Sequence, residues 1–509
     1  MADDASSGPG GIPAEHLAAL SHELRTPLNG VIGMARLLEG TPLTAEQRDY
    51  VAALTQSGEH LLGLVNHVLD YARLGTGTVA LTPSLIDIEQ LLRSVCELMS
   101  PRAHDKGLEI GWAMGKGLAP IHADEGRLRQ VLLNFLGNAV KFVDNGGVLL
   151  LADPASAGRV RFTVSDTGAG VPLDARERIF EAFSQLDPAA ASLGGAGLGL
   201  AIARRIAGAM GGQVGVGTGR AGGAEFWFEA PFAAAGPGAA PRPLEGRSVA
   251  IASPSAIVRA AATRQIEVNG GIAQSGASLA EALERCAEDA VFLVDHLLAG
   301  EGAALRPPPG RVAVILLRPK ERARIRAYAQ AGFAGYLIKP LRPSSLVARV
   351  LAAAGAAPAA GPSDDERIKQ TRRAAGGPEA APGARVLVVE DNAVNALLTS
   401  VLLRREGCRV DQAADGAQAL KLLAEGHYDL ILMDVRMPVM DGLAATAALR
   451  ARGVTAPVVA LTANDFDDDR RACAAAGMDD VLVKPLSAEA LRAAIAHWTG
   501  PRQQARLSA

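Results

Sequence analysis

Five residues of the types that handle phosphate follow apolar runs in order near the C-terminal end of the chain. The acidic pair Glu390 and Asp391 follows "RVLVV", Asp434 follows "LILM", Thr462 ends "VVALT" and Lys484 follows "VLV". Such runs read as buried parallel strands, and ligands of that architecture sit at the carboxyl ends of its strands. Three carboxylates gathered there repel unless a hard cation neutralises them. Mg2+ suits an oxygen-rich site, so Glu390, Asp391 and Asp434 are the expected metal set. Asp434 is the natural phosphoryl acceptor. Lys484 and the metal would stabilise charge on the transferring oxygens, and the Thr462 hydroxyl would hydrogen-bond to them. Solvated acids and a surface lysine would account for any one of these residues, but poorly for all five in order.

A second constellation lies in "SHELRTPLNG". On a helix with core positions Leu17, Leu20, Leu24, Leu28 and Val31, His22 is two residues from Leu24, about 200° around the axis, and so faces solvent. Glu23 can bond one imidazole nitrogen and leave the other free as a nucleophile. Pro27 removes the backbone bond to Glu23, loosening the helix where a nucleotide would approach. By itself an exposed histidine is usually only a surface residue.

A third group could hold the nucleotide. Asn134 and Asn138 are spaced i, i+4 in "RLRQVLLNFLGNAVKF" and can reach Mg2+ and phosphate oxygens from one helix face. In "DTGAG", Asp166 can accept a hydrogen bond from an adenine amino group, while Gly168 and Gly170 allow close backbone approach. "GGAGLGLAIARRI" places Gly195, Gly197 and Gly199 at a helix start whose free amides attract phosphate. Each motif is weak alone; their order is informative.

In that order, with "ERIFEAFSQ" between the last two, they resemble the N, G1, F and G2 boxes of histidine-kinase catalytic domains. "SHELRTPLNG" resembles the phosphoacceptor box of the same family, and the C-terminal segment resembles a two-component receiver domain. The whole chain thus resembles a hybrid sensor histidine kinase. The resemblance implies that ATP phosphorylates His22 and that Asp434 takes the phosphoryl group before a separate histidine phosphotransfer protein receives it. It also implies a homodimer built by paired helical hairpins, a lid at 184–196, a phosphate contact from Lys141, and a water-orienting role for Thr26 in dephosphorylation. Ala196 departs from the threonine frequent in the G2 box, which leaves the lid contacts there open.

The elements that must position these groups follow from composition. The 509 residues are 49% apolar, enough for several cores, and the net charge of -3 provides neither a nucleic-acid footprint nor a polybasic membrane anchor. No run approaches a bilayer span and the N-terminal residues lack an export signal, so a cytoplasmic protein without membrane insertion is expected. The four scattered cysteines read as core thiols. Ala/Gly/Pro-rich stretches divide the chain. The expected class is multidomain: an all-α dimerisation hairpin (12–76), an α/β sandwich ATP-binding domain (80–232), and two doubly wound α/β receiver-like domains (245–355 and 384–498) joined by a linker (356–383).

The receiver-like copies arise from one repeat, "AGFAGYLIKPL" at 331–341 answering "AGMDDVLVKPL" at 476–486. In the middle copy Ser253 and Pro254 replace the acidic pair and Leu317 stands for Thr462, so phosphorylation of the remaining Asp295 is not expected. This pseudo-receiver reads as a regulatory unit, with a spent spacer as the bland alternative. Arg318, Arg322, Arg324, Arg326 and Tyr336 could grip phosphates and stack on a base. They resemble the equipment of hybrid kinases gated by cyclic di-GMP, although arginines at helical spacing are more often a solvated face. In the linker, "SDDERIKQTRR" (363–373) is charged, and Asp364, Asp365 and Arg367 are the expected latch. A phosphatase-dominant relay protein and a non-catalytic scaffold are the rival readings.

Overall fold

The computed structural model describes residues 27–35, 37–39, 41–73, 81–184, 197–219, 222–234, 242–299, 305–355, 383–462, 467–484, 486 and 488–499. His22, Glu23, Thr26, Gly195 and the 363–373 segment lie outside them. The chain forms two compact units, Met1–Ser21 with Leu64–Ser363, and His22–Gly63 with Asp364–Ala509.

In the first unit, a mixed sheet runs in the order β2 (Glu109–Met114), β4 (Gly147–Pro154), β5 (Arg159–Asp166), β7 (Ala224–Pro231), β6 (Gln213–Thr218). Three helices, α3 (Ile88–Asp105), α4 (Glu125–Phe142) and α5 (Gly199–Ala209), share one core with it, in which Trp112, Phe135, Phe162 and Phe228 are wholly buried. Strand β7 shows why: Ala224, Phe226, Phe228 and Ala230 point inward at every second position. Aspartates start two of these helices, α3 and α4. Asp87 accepts from the Glu89 and Gln90 amides, and Asp124 from that of Arg127, supplying partners that a helix start otherwise lacks. A small sheet of β1 (Ser84–Ile86), β3 (Ile121–Ala123) and β8 (Ala233–Ala234) completes this α/β sandwich.

The same unit contains a parallel sheet in the order β10 (Ile272–Gly276), β9 (Ser248–Ala252), β11 (Val291–Asp295), β12 (Ala313–Leu317), β13 (Gly335–Ile338). Strands β11 and β12 are buried throughout, as strands covered on both faces must be. Its first helix, α6 (Ala256–Val268), lies on the open face of the sandwich sheet, where Ile257 and Ala261 cluster with Leu149 and Leu151. Gly111 permits the approach: a Cβ there would be 3.0 Å from that of Ala261. Buried Gln265 donates to the carbonyls of Trp112 (2.8 Å) and Leu341 (3.0 Å).

The second unit repeats the parallel topology with β15 (Arg409–Ala413), β14 (Arg385–Val389), β16 (Leu430–Asp434), β17 (Val458–Thr462), β18 (Asp480–Val483). Register aligns the copies. The Lys484 amide bonds the Thr462 carbonyl at 2.7 Å and the Lys339 amide bonds that of Leu317 at 2.8 Å, so Leu317 does stand at the threonine position. A hairpin of α1 (helical at 27–35 and 37–39) and α2 (Ala45–Arg73) belongs in part to this unit. Thr44 and Gln47 form a reciprocal capping box that starts α2. Buried Gly33 of α1 faces Leu398 on α10 (Ala393–Arg405), the receiver-like copy's first helix, 3.2 Å from where its Cβ would stand. The observed folds are those expected: helical hairpin, α/β sandwich and two doubly wound sheets. None of the four cysteines forms a disulfide, but only Cys96, Cys408 and Cys473 are core thiols; Cys286, just after a helix end, is half-buried.

Candidate active sites

At the carboxyl edge of the C-terminal sheet, β14 delivers Glu390 and Asp391, β16 delivers Asp434, β17 ends in buried Thr462, and Lys484 follows β18. Oxygens of the three acids lie within 4.8 Å of one another. Lys484 Nζ donates to Asp434 Oδ2 at 2.6 Å and to Glu390 Oε2. Asn395 supplies Glu390 Oε1 with a further donor at 2.8 Å, and the Arg436 amide reaches Asp434 Oδ1 at 3.2 Å. Burial pushes the Glu390 carboxyl up, Asp434 adds to this, and Lys484 opposes it. Burial alone would lower Lys484, but the two carboxylates hold it above the ordinary lysine range. A converging set of three hard oxygen donors fits Mg2+.

The middle copy is built for something else. Asp295 is wholly buried and both its oxygens are engaged: Ser253 Oγ donates to Oδ2 at 2.7 Å, and Lys339 Nζ lies 3.0 and 3.1 Å from Oδ1 and Oδ2. Burial opposes ionisation, but His296, Lys339 and Ser253 together draw the carboxyl down to about 2. Lys339 Nζ also donates to Glu109 of β2 at 3.0 Å, and Arg318 Nε meets the same carboxylate oxygen at 2.8 Å. Residues Ser253 and Glu109 are partners that sequence reading did not assign. Glu109 carried a faint signal, an acid opening an otherwise apolar strand.

The residues expected to contact nucleotide lie on α4, at and just after the end of β5, and at the start of α5. Asn134 Nδ2 donates to the Gly199 carbonyl at 2.9 Å, tying the N-box helix to the G2 turn. Asn138 and Lys141 are half-buried on the same helix, and burial lowers the Lys141 ammonium. Asp166 Oδ1 accepts from the Gly168 amide at 2.8 Å and from that of Ala224 at 3.0 Å; burial still raises its pKa. Two glycines are required by their backbone: Gly170 has φ +76°, and Gly197 has φ +68° with Ser184 O 2.7 Å from a would-be Cβ. Gly223, absent from the sequence reading, backs directly onto the Asp166 carbonyl.

The arginines proposed to grip an effector do not share one task. Arg318 is engaged by Glu109, and Arg324 pairs with Glu321 at 3.1 Å and lies over buried Tyr328. Arg322 and Arg326 are exposed. Half-buried Tyr336 has the Arg349 guanidinium 5.3 Å from its ring centre, an unpredicted partner from the next helix.

Comparison with known proteins places three family matches along the chain: the His Kinase A (phospho-acceptor) domain at 14–77, the histidine kinase-, DNA gyrase B- and HSP90-like ATPase at 123–234, and the response regulator receiver domain at 386–496. Sensor protein GacS of Pseudomonas syringae pv. syringae is 31% identical over 96% of this chain and 56% of its own length. Signal transduction histidine-protein kinase BarA of Escherichia coli K12 is 30% identical over 94% of this chain and 53% of its own. The chain therefore spans about half the length of these curated relatives. The crystal structure of full-length ShkA in complex with AMPPNP is 59% identical, covers 96% of this chain and 100% of that one, and superposes with a TM-score of 0.65. With the phosphoacceptor, ATPase and receiver matches in order and that likeness over the full length of a solved relative, the chain belongs to the hybrid histidine kinases, a family of ATP-dependent phosphotransfer enzymes.

Proposed function

We propose that this chain is a phosphorelay kinase in which His22 takes the γ-phosphoryl group of ATP and Asp434 takes it from His22. The observation that carries the reading is the Glu390, Asp391, Asp434 and Lys484 cluster, assembled at one sheet edge, while the corresponding acid of the middle copy is occupied. Nucleotide binding is supported by the Asn134, Asn138, Lys141, Asp166 and glycine set, and by a solved relative that binds AMPPNP. The Asp166 oxygen not held by the Gly168 and Ala224 amides would accept the adenine amino group.

In the first transfer an imidazole nitrogen of His22 attacks the γ-phosphorus, the β–γ bridging P–O bond breaks and ADP leaves; Glu23 holds the other ring nitrogen. In the second, an Asp434 oxygen attacks that phosphorus, the P–N bond breaks and the imidazole is restored. Lys484 follows the charge on the phosphoryl oxygens and Thr462 donates to them. Glu390, Asp391 and Asp434 would hold Mg2+ here, and Asn138 in the nucleotide cleft; the ion supplies charge neutralisation for phosphoryl oxygens. The Gly33–Leu398 contact supports docking of the receiver on the hairpin. Thr26 would orient water for the reverse hydrolysis, and a separate histidine phosphotransfer protein would drain Asp434. The hairpin would pair two copies.

The pseudo-receiver is the proposed regulator, and exposed Arg322 and Arg326 with the Arg349-backed Tyr336 support a ligand of phosphates and bases such as cyclic di-GMP. Radiolabelled ATP tests the relay. Label should appear in the wild type, vanish in His22→Ala, and accumulate in acid-labile form in Asp434→Ala. No label in the wild type would favour the scaffold reading, and rapid release through Asp434 the phosphatase reading. An unchanged rate of labelling with cyclic di-GMP would remove that ligand alone.

A further inference from the structure

We propose that Lys106 is a positioning residue for nucleotide, and that the pseudo-receiver holds the ATP helix through it. The proposal rests on the nucleotide-cleft reading above. Helix α3 ends at Asp105, Lys106 is its C-cap, and Gly107 at φ +77° turns the chain into β2. From that turn the Lys106 ammonium crosses to the end of α4 and donates to three carbonyls, Val140 at 2.8 Å, Lys141 at 2.9 Å and Val143 at 3.0 Å. Carbonyls in the last turn of a helix lack intrahelical donors, and the helix dipole favours a cation there. One lysine thus satisfies the end of the helix whose last two turns carry Asn138 and Lys141.

The same turn is gripped on its other side. Lys320 Nζ bonds Asp105 Oδ1 at 2.9 Å, Arg318 Nη2 donates to the Gly107 carbonyl at 3.0 Å, and Arg318 Nε and Lys339 Nζ converge on Glu109. These contacts bracket Lys106 from both neighbours in sequence. The segment that brings Arg318 and Lys320, a 3-10 turn at Pro319–Arg324 with its cap, also carries exposed Arg322. A ligand that drew on these side chains would loosen the turn, and the end of α4 would feel it through three hydrogen bonds. Linkage then requires nucleotide and that ligand to change each other's affinity by one factor.

The experiment uses the full chain, a fluorescent ATP analogue for affinity and ATP titration for the KM and kcat of autophosphorylation. Lys106→Met should weaken analogue binding and raise KM about fivefold with kcat little changed, because the cap supports binding rather than the attack. Lys106→Arg, which keeps the cation, should restore most of the affinity. Arg318→Ala with Lys320→Ala should raise KM by about twofold, and adding Lys106→Met should give less than the product of the two effects. Asn138→Ala separates the possible failures. If it abolishes analogue binding while Lys106→Met leaves affinity unchanged, the proposal falls alone; if neither matters, the cleft reading falls with it. A charge-preserving arginine no better than methionine, or strictly multiplicative effects, also overturns it. Should Lys106→Met not fold, an unchanged KM in the Arg318 and Lys320 pair does so by itself.

Discussion

Lys339 and Lys484 follow the fifth strand in two copies of one fold, yet they face different anions. Lys484 bridges Glu390 and Asp434, whereas Lys339 is shared between Asp295 and Glu109. Removing one member of a buried charge group strands the others, so Glu109→Ala should lower unfolding free energy by about 3 kcal/mol in urea titrations. Asp295 adds a pH dependence of known sign. Its folded carboxyl is drawn down to about 2, below the ordinary aspartate range, so its stabilisation is present above pH ~4 and is lost as pH falls toward 2. The stability gap between wild type and Asp295→Asn should therefore narrow over that window. The five receiver residues were legible because they close four separate apolar runs. Glu109 was not, because it meets Lys339 across 230 positions, and no local pattern reports such a pairing.

Among the elements, the first helix of each copy has been given a different surface. Helix α10 presents Leu398 to α1, while α6 is consumed against β2 and β4. Gly33→Leu should crowd that seat and slow transfer to Asp434 severalfold, with labelling of His22 retained; equal transfer rates would count against the docking role. Gln265→Ala would leave the buried carbonyls of Trp112 and Leu341 without their shared donor, at a cost of about 1–3 kcal/mol read from thermal or urea unfolding. The parallel strands of the doubly wound folds were readable, since buried apolar runs declare themselves locally. The covering of the sandwich sheet by α6 was not. Ile257, Ala261 and Gly111 look like ordinary core and strand residues until the two folds are in contact.

At the scale of the chain, the proposed donor, acceptor and regulator share one polypeptide, a reading under which restraint is as necessary as catalysis. The 363–373 segment lies outside the described residues, and its proposed role as a latch predicts that Asp364→Ala with Asp365→Ala raises basal phosphorylation, measured as initial label incorporation. Unchanged basal incorporation would dismiss it. The order of the phosphoacceptor, ATPase and receiver matches was legible from motifs; the contact between the sandwich and the middle parallel sheet was hidden in tertiary structure. Their seam has an evolutionary corollary. Because a bare glycine on one side receives a methyl group from the other, neither surface can drift alone. Recombination that imported a catalytic domain from a kinase without this companion would bring in side chains for which the helix leaves no room, so the pair should be inherited, and engineered into chimaeras, as a single module.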